Sequence, residues 1–367
     1  MGKIGVLVVD DSAFMRKLIS DFLNQEEGIE VVGTARNGQD AIKKVQLLKP
    51  DVVTMDIEMP VMNGLEALQV IMEQFPRPVI MLSSTTKEGA KNTIKSLQYG
   101  AVDFIAKPSG AISMDLHKIK AEIIKKVTLA KFANVRKLSN EVNREKNPVE
   151  KLECSKIDLK KDKSLGFIDN IHQNKKIVCI GTSTGGPRAL QQVLTKLPAM
   201  IDAPIFIVQH MPPGFTKSLA KRLNSVSMIT VKEAENNELV QNGVAYIAPG
   251  GFHLKIEKSG TSLKINIDQS AVRNGHRPSV DVLFESISEL QGYLKIAVIM
   301  TGMGSDGTEG LKSLKLTGTV KAISESEQTA IVFGMPKSAI NTQLIDRVED
   351  VEDIGDTIMK YVRSPLY

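Results

Sequence analysis

The chain has 367 residues, 42% of them hydrophobic and 24% charged, which is typical of a globular protein of two or three domains. No apolar run approaches the roughly 18 residues of a membrane span, and the sequence leads directly into a strand-like segment instead of a secretory signal. The net charge is +5, but the excess is 0, +3 and +2 over residues 1–127, 128–172 and 173–367, so no nucleic-acid-binding surface is expected. The only cysteines, Cys154 and Cys179, suggest no disulfide framework. We therefore expect a cytoplasmic protein.

Residues 1–128 alternate between strand-like and helical patterns. Short apolar runs predict five strands, at Gly5–Val9, Glu30–Gly33, Val52–Met55, Pro78–Leu82 and Val102–Ile105. Apolar residues at helical spacing predict five helices, at Ala13–Leu23 behind the N-cap Ser12, Gly38–Leu48, Gly64–Gln74, Glu88–Gln98 and Asp115–Lys126. Five such units predict an α/β domain with a doubly wound parallel sheet.

Residues 129–174 lose this rhythm and are rich in charged residues. We expect them to extend the last helix and then to form a flexible charged linker. The α/β pattern returns in residues 175–367, with strands at Ile177–Ile180, Ile205–Val208, Val244–Ala248 and Ile296–Met300 and helices at Arg188–Leu197, Ser279–Leu290 and Thr308–Leu316. Leu254–Lys255 and Leu263–Ile267 predict a hairpin. This second domain is therefore predicted to be a doubly wound parallel sheet with a small antiparallel insert.

Polar side chains end the predicted strands of the first domain, where function collects in a parallel sheet. Asp10 and Asp11 end the first strand, Asp56 the third, Ser83 the fourth and Lys107 the fifth. Three converging carboxylates would bind a hard cation such as Mg²⁺. A metal-neutralised Asp56 could attack a phosphoryl donor, and Lys107 and Ser83 could bind the phosphoryl oxygens. Each residue alone is more often a helix cap or a turn residue, so the prediction depends on all five together.

These five residues, together with residues 55–64 and the Lys107-Pro108 pair, resemble the response-regulator receiver family over about 125 residues. The resemblance implies a flavodoxin-like sheet. It also implies that Asp56 is the phosphoacceptor, that Asp10, Asp11 and Asp56 bind Mg²⁺, and that Ser83 and Lys107 sense the phosphoryl group. The phosphodonor would then be a histidine kinase.

A second set of polar residues ends the strands of the second domain. Ser183 lies in Gly181-Thr182-Ser183-Thr184-Gly185, between a strand and a helix, which is the context of a nucleophile elbow. His210 and Asp306 each follow another strand. The three residues could act as nucleophile, base and orienting acid. Taken singly, the loop could equally be a phosphate-binding turn, and a lone histidine is more often structural.

A competing pattern occupies the same region. Gly302-x-Gly304-x-x-Gly307 matches the dinucleotide fingerprint, with Glu325 at about the expected distance. It comes late in its domain, and it explains neither Ser183 nor His210. A receiver domain fused to a dinucleotide-dependent oxidoreductase therefore remains one alternative. A non-enzymatic signalling adaptor is another.

Five blocks of the second domain are similar to the chemotaxis protein-glutamate methylesterase family, at residues 181–187, 209–216, 248–253, 277–281 and 301–307. The resemblance implies that the chain hydrolyses glutamate γ-methyl esters, and possibly deamidates glutamines, on the cytoplasmic helices of methylated chemoreceptors. Catalysis would need no cofactor, and backbone N–H groups near Thr184 and Met303 would form the oxyanion hole. We expect a monomer that does not insert into the membrane.

Three further residues of these blocks lie in loops. His253 and His276 are expected to make ordinary loop hydrogen bonds, and Arg277 could bind an acidic receptor surface. The sequence departs from the family pattern at Thr182, where alanine is more usual, and in the length of the linker.

Overall fold

The structure is a computed structural model that describes residues 2–107, 115–135 and 175–364. The first domain has five strands, β1 (Ile4–Val9), β2 (Ile29–Ala35), β3 (Val52–Asp56), β4 (Val79–Ser83) and β5 (Asp103–Ala106). Its helices are α1 (Ala13–Asn24), α2 (Gly38–Leu48), α3 (Gly64–Gln74), α4 (Lys87–Gln98) and α5 (Asp115–Ala130). All neighbouring strands are parallel, in the order β2-β1-β3-β4-β5. This order confirms the flavodoxin-like, doubly wound sheet.

Burial and capping explain the elements of this domain. Every residue of β1, β3 and β4 is buried, as in strands that are covered by helices on both faces. Helix α1 begins where the Ser12 hydroxyl accepts a hydrogen bond from the N–H of Met15. Helix α3 begins with a capping box between Asn63 and Glu66. The carboxyl ends of β1, β3, β4 and β5 are thereby fixed at one edge of the sheet.

The second domain contains a seven-stranded parallel sheet and a two-stranded antiparallel hairpin. The sheet runs in the order β14-β13-β12-β6-β7-β9-β8, and β10 pairs with β11. The strands are β6 (Lys175–Thr182), β7 (Ile205–Gln209), β8 (Thr230–Glu233), β9 (Val244–Ile247), β10 (His253–Ser259), β11 (Ser262–Asp268), β12 (Tyr293–Ile299), β13 (Val320–Glu325) and β14 (Arg347–Glu349). The helices are α6 (Gly186–Leu194), α7 (Phe215–Val226), α8 (Val280–Ser288), α9 (Thr308–Thr317), α10 (Met335–Ile340) and α11 (Val351–Arg363).

Several elements of this domain were not predicted from the sequence. They include α7, α10, α11, β13 and the edge strands β8 and β14. The edge strands are three or four residues long and carry charged side chains, so they lack the apolar runs that identified the central strands. Most of the predicted linker, together with Cys154, lies outside the described residues, and the domain boundaries stay predictions.

The two domains pack through helix α4 and strand β5 of the first. Helix α4 lies against α6 and α7. The buried rings of Phe104 and Phe215 are 4.7 Å apart between their centroids. Beside them, the Thr184 hydroxyl donates a hydrogen bond of 2.5 Å to Asp103 Oδ2. Buried apolar residues therefore form one continuous core from the first sheet into the second domain.

Candidate active site and phosphoacceptor site

The acidic residues of the first domain meet at the carboxyl edge of its sheet. Asp10, Asp11 and Asp56 each place a carboxylate oxygen within 4.8 Å of the others. Asp10 and Asp56 are buried, and Asp11 is exposed. The Lys107 ammonium lies 3.0 Å from Asp10 Oδ2 and 2.7 Å from Asp56 Oδ2. The structure thus brings four of the five predicted residues into one charged cluster.

The charges in this cluster suit both a cation and a phosphoryl group. Burial raises the pKa of Asp56 to about 6, although Lys107 opposes the rise. Burial also opposes the charge of Lys107, but the carboxylates of Asp56 and Asp10 hold its pKa above the ordinary value. Asp10 Oδ2 is buried and accepts no well-aligned hydrogen bond from the described residues. Three carboxylate oxygens, one of them buried and without a well-aligned hydrogen-bond donor, fit a Mg²⁺ ion.

The fifth predicted residue, Ser83, links this cluster to helix α4. Ser83 is fully buried at the end of β4, and its backbone carbonyl accepts a hydrogen bond from the N–H of Lys107. The Thr93 hydroxyl donates a 2.6 Å hydrogen bond to Ser83 Oγ. Because Thr93 belongs to α4, this hydrogen bond connects Ser83 to the helix that packs on the second domain.

Ser183 lies immediately after β6 in a tight turn. Its N–H donates to the carbonyl of Thr301, and its carbonyl accepts from the N–H of Gly186. Gly302 packs so closely that a Cβ there would lie 2.8 Å from the Cβ of Ser183. Close packing against the serine loop therefore explains the glycine at position 302.

His210 and Asp306 form a direct pair. The Nε2 atom of His210 lies 2.8 Å from Asp306 Oδ2, and both side chains are almost fully buried. The other ring nitrogen, Nδ1, is buried without a hydrogen-bond partner in the described residues. No hydrogen bond joins Ser183 to His210 in the described chain, so the structure supplies the base–acid pair and leaves Nδ1 free.

The Asp306 carboxylate is also held by the start of helix α8. Ser279 Oγ donates to Oδ1 at 2.8 Å, the N–H of Val280 donates to Oδ2 at 2.7 Å, and the N–H of Asp281 donates to Oδ1 at 3.1 Å. Burial would raise the pKa of Asp306. The hydrogen bond and charge of His210, together with the donors of α8, hold it well below its ordinary value. Asp306 is therefore fixed as a carboxylate.

His276 makes a contact that the sequence did not reveal. Its ring stacks on the ring of His210, with centroids 3.9 Å apart and an angle of 7° between the planes. Burial lowers the pKa of His276 to about 4, and the nearby charge of His210 adds to this effect. The expectation of an ordinary loop hydrogen bond does not describe this ring. A loop histidine carries no periodic signal that could have indicated the stack.

One cleft of about 410 Å³ contains Ser183 and His210. Thr184 and Met303, the predicted oxyanion-hole residues, also line it, and their role stays a prediction. Its opposite wall is formed by α5 of the first domain, through residues that include Ala121, Glu122, Lys125, Lys126 and Leu129. The first domain therefore contributes part of the lining of the cleft that contains Ser183.

The remaining candidates have structural contacts. Glu325 accepts a 2.7 Å hydrogen bond from the N–H of Thr301 inside the core, where a ribose could not reach it. His253 Nε2 lies 3.1 Å from the carbonyl of Ala271. Arg277 Nη1 donates to the carbonyls of Gln269 and Ser270. The dinucleotide alternative is therefore not favoured, and the Arg277 guanidinium binds its own loop.

Comparisons with known proteins agree with this arrangement. Residues 6–118 match the response regulator receiver domain family, and residues 178–358 match the CheB methylesterase family. A Geobacillus kaustophilus protein named protein-glutamate methylesterase/protein-glutamine glutaminase is 55% identical, covering 99% of both chains. A Bacillus subtilis protein of the same name is 51% identical, over 98% of this chain and 99% of its own.

Among solved structures, the chain is similar to the crystal structure of the Thermotoga maritima CheB methylesterase catalytic domain. The sequence identity is 46%, the match covers 51% of this chain and 98% of that chain, and the TM-score is 0.49. Within the described residues, no helix is both long and apolar enough to cross a bilayer. The identity along nearly the whole chain shows that this protein belongs to the family of receiver-linked protein-glutamate methylesterases/protein-glutamine glutaminases.

Proposed function

We propose that this chain hydrolyses glutamate γ-methyl esters, and deamidates glutamines, on the cytoplasmic helices of chemoreceptors, and that phosphorylation of Asp56 activates it. The observation that carries the proposal is the buried His210–Asp306 pair, whose histidine lines one cleft together with Ser183 and residues of helix α5. A serine, a histidine and a fixed carboxylate are the groups that acyl transfer requires.

The geometry assigns a role to each nitrogen of His210. Because Nε2 faces the Asp306 carboxylate, the neutral ring carries its proton there, and the bare Nδ1 is the base. Nδ1 takes the proton of Ser183 as its Oγ attacks the ester carbonyl. The same proton is given to the departing methoxide, so methanol leaves and an acyl-serine remains. Water activated by Nδ1 then releases the glutamate. With a glutamine substrate, ammonia leaves in place of methanol.

Two features stabilise the charges that form in this reaction. Asp306, held as a carboxylate, balances the imidazolium of His210. We expect the N–H groups of Thr184 and Met303, which line the same cleft as Ser183, to donate to the tetrahedral oxyanion. Loss of one such donor typically costs about 100- to 1000-fold in kcat.

In the receiver domain, Asp56 is the proposed phosphoacceptor. A histidine kinase supplies the phosphoryl group, and the Asp56 carboxylate attacks it. Asp10, Asp11 and Asp56 would hold Mg²⁺, whose charge supports the transfer when it is bound. Lys107 then pairs with the phosphoryl oxygens, and Ser83 turns toward them.

The proposed control is occlusion of the serine site. Helix α5 forms one wall of the cleft, so a helical receptor segment cannot reach Ser183 while the domains are packed. Movement of Ser83 toward a phosphoryl group breaks its bond with Thr93 and shifts α4 against the second domain. A coupling free energy of about 1–3 kcal/mol between phosphorylation of Asp56 and domain opening is enough to change the open–closed equilibrium 5- to 150-fold.

Methanol release from methylated receptor membranes tests the proposal. Release should require Ser183 and should rise when a phosphodonor and Mg²⁺ are added, and Asp56→Asn should keep the basal rate and lose the increase. A chain that releases no methanol with or without phosphodonor would contradict the proposed activity. Sedimentation of the purified protein tests the expected monomer. Cell fractionation tests the expected cytoplasmic location.

A further inference from the structure

One segment, residues 274–281, contacts two of the three proposed catalytic side chains. Its C-terminal part donates three hydrogen bonds to the Asp306 carboxylate. Its N-terminal part carries His276, whose ring covers one face of His210 at 3.9 Å with nearly parallel planes. The segment is tied down by Asn274, whose side-chain amide donates to Asp281 at 2.9 Å. The loop therefore holds the base and its acid together.

We propose that His276 is a positioning residue of the esterase: its ring fixes the plane of His210 and stabilises the imidazolium that forms when Ser183 attacks. This inference rests on the proposed function. Within the described residues, His210 has one side-chain hydrogen bond, through Nε2, and a ring with one such bond can tilt about it. A flat ring stacked on its face opposes that tilt and keeps Nδ1 directed into the cleft.

The stack also favours the charged form of His210. An aromatic face attracts a cation that lies over it, and in the proposed mechanism His210 gains a positive charge when Nδ1 takes the proton of Ser183 or of the attacking water. The contribution therefore acts on kcat and not on substrate binding.

This role requires that His276 itself is uncharged. The charged or titratable groups that face it are His210, Asp306, and Lys125 and Lys126 of helix α5. Burial and the neighbouring positive charges disfavour a proton on His276 at neutral pH, so its ring faces the imidazolium as a neutral partner. A second positive charge at this distance would instead repel the imidazolium. Within the described residues, the ring nitrogens of His276 form no hydrogen bond. The His276 ring is therefore held by its stack on His210.

The test compares His276→Ala, His276→Gln and His276→Phe in the full chain, with methylated receptor membranes, acetyl phosphate and Mg²⁺. Alanine removes the ring, and glutamine keeps a polar group without a ring. Phenylalanine keeps an aromatic ring but has no nitrogen that can bind a proton. We expect alanine and glutamine to lower kcat roughly three- to thirtyfold with little change in KM. Phenylalanine should recover most of the loss.

The pH profile separates positioning from a purely structural role. His276→Arg places a permanent charge beside His210, so the acid limb of kcat/KM should move to lower pH, whereas His276→Phe should leave it in place. A His276→Ala chain with normal kcat, or a glutamine variant that outperforms phenylalanine, would overturn the inference. If His276→Ala does not fold, the phenylalanine–glutamine comparison decides. If the wild type shows no Ser183-dependent release, the proposed function fails, and this inference fails with it.

Discussion

The hydrogen bond between Asp103 and Thr184 gives the sharpest test of occlusion. Asp103 belongs to the receiver domain, and its Oδ2 accepts from the Thr184 hydroxyl at 2.5 Å, next to the nucleophile. Asp103→Asn keeps the shape and the acceptor but removes the charge. A hydrogen bond to a charged group is worth about 1.5–3 kcal/mol and a neutral one about 0.5–1.5 kcal/mol. The closed state should therefore lose about 1–1.5 kcal/mol, which is roughly a five- to twelvefold change in the closed–open equilibrium.

The change has a measurable consequence for basal activity. If about 1% of the wild type is open, a tenfold shift opens about 9% of the variant. Methanol release without phosphodonor should then rise by nearly the same factor. The rate with phosphodonor should rise by a smaller factor, because phosphorylation has already opened part of that population. If phosphorylation shifts the equilibrium 150-fold, about 60% is open and the rate can rise less than twofold. Asp103 also pairs with Lys126 inside the receiver domain at 3.1 Å, so the control must lose an Asp–Lys pair too. Asp21→Asn does so, because Asp21 pairs with Lys17 on the exposed face of α1 and contacts no second-domain residue among those described.

Two results would refute this reasoning. A basal rate within twofold of wild type would mean that Asp103 contributes nothing to closure. An equal rise of the basal and the phosphodonor-stimulated rates would mean that the substitution acts on catalysis and not on the domain equilibrium. In either case the contact between the two domains would not limit the unphosphorylated enzyme.

Three further predictions concern the two sites. Mg²⁺-dependent, acid-labile phosphorylation should occur at Asp56 alone, and label that survives in Asp56→Asn, mapped by peptide analysis, would exclude this assignment. Ser183→Ala should fold normally and keep only a small residual esterase rate, and near-normal turnover of this variant would rule out the triad. Asp306→Asn should be severely impaired, because the wrong tautomer of His210 would face the serine. Without metal, Asp56→Asn should be more stable than wild type at pH 7, by up to about 3 kcal/mol. The folded pKa of Asp56 lies above the ordinary aspartate value of 3.8, so the wild type loses stability as the pH rises through about 4 to 6. The stability difference between variant and wild type should fade below that window. Urea unfolding in which this difference does not grow with pH would contradict the prediction.

The sequence was informative where side chains repeat along buried strands. The apolar runs of β1, β3 and β4 located three strands, and the residues that end them formed the predicted acidic cluster. Ser183, His210 and Asp306 were likewise found from strand ends, because the carboxyl ends of parallel strands meet at one edge of the sheet.

Contacts between distant loops could not be predicted in the same way. The stack of His276 on His210 depends on where the segment before α8 crosses the sheet edge, and no local pattern encodes that crossing. The role of Nε2 in binding Asp306 is also a matter of side-chain orientation. Edge strands such as β8 have too few buried residues to show a period, so the outer limits of the second sheet became visible only in the structure.

Under the proposed occlusion, the aromatic contact between the domains would make the control of this enzyme depend on temperature. Phe104 and Phe215 are both buried at the interface, so opening exposes their rings to water. Association of apolar groups is driven by entropy near 25 °C and weakens on cooling. The proposed closed state would consequently be more stable in the warm than in the cold. A chilled cell would lose part of its repression without any change in phosphorylation, and the receptors would drift toward the demethylated state.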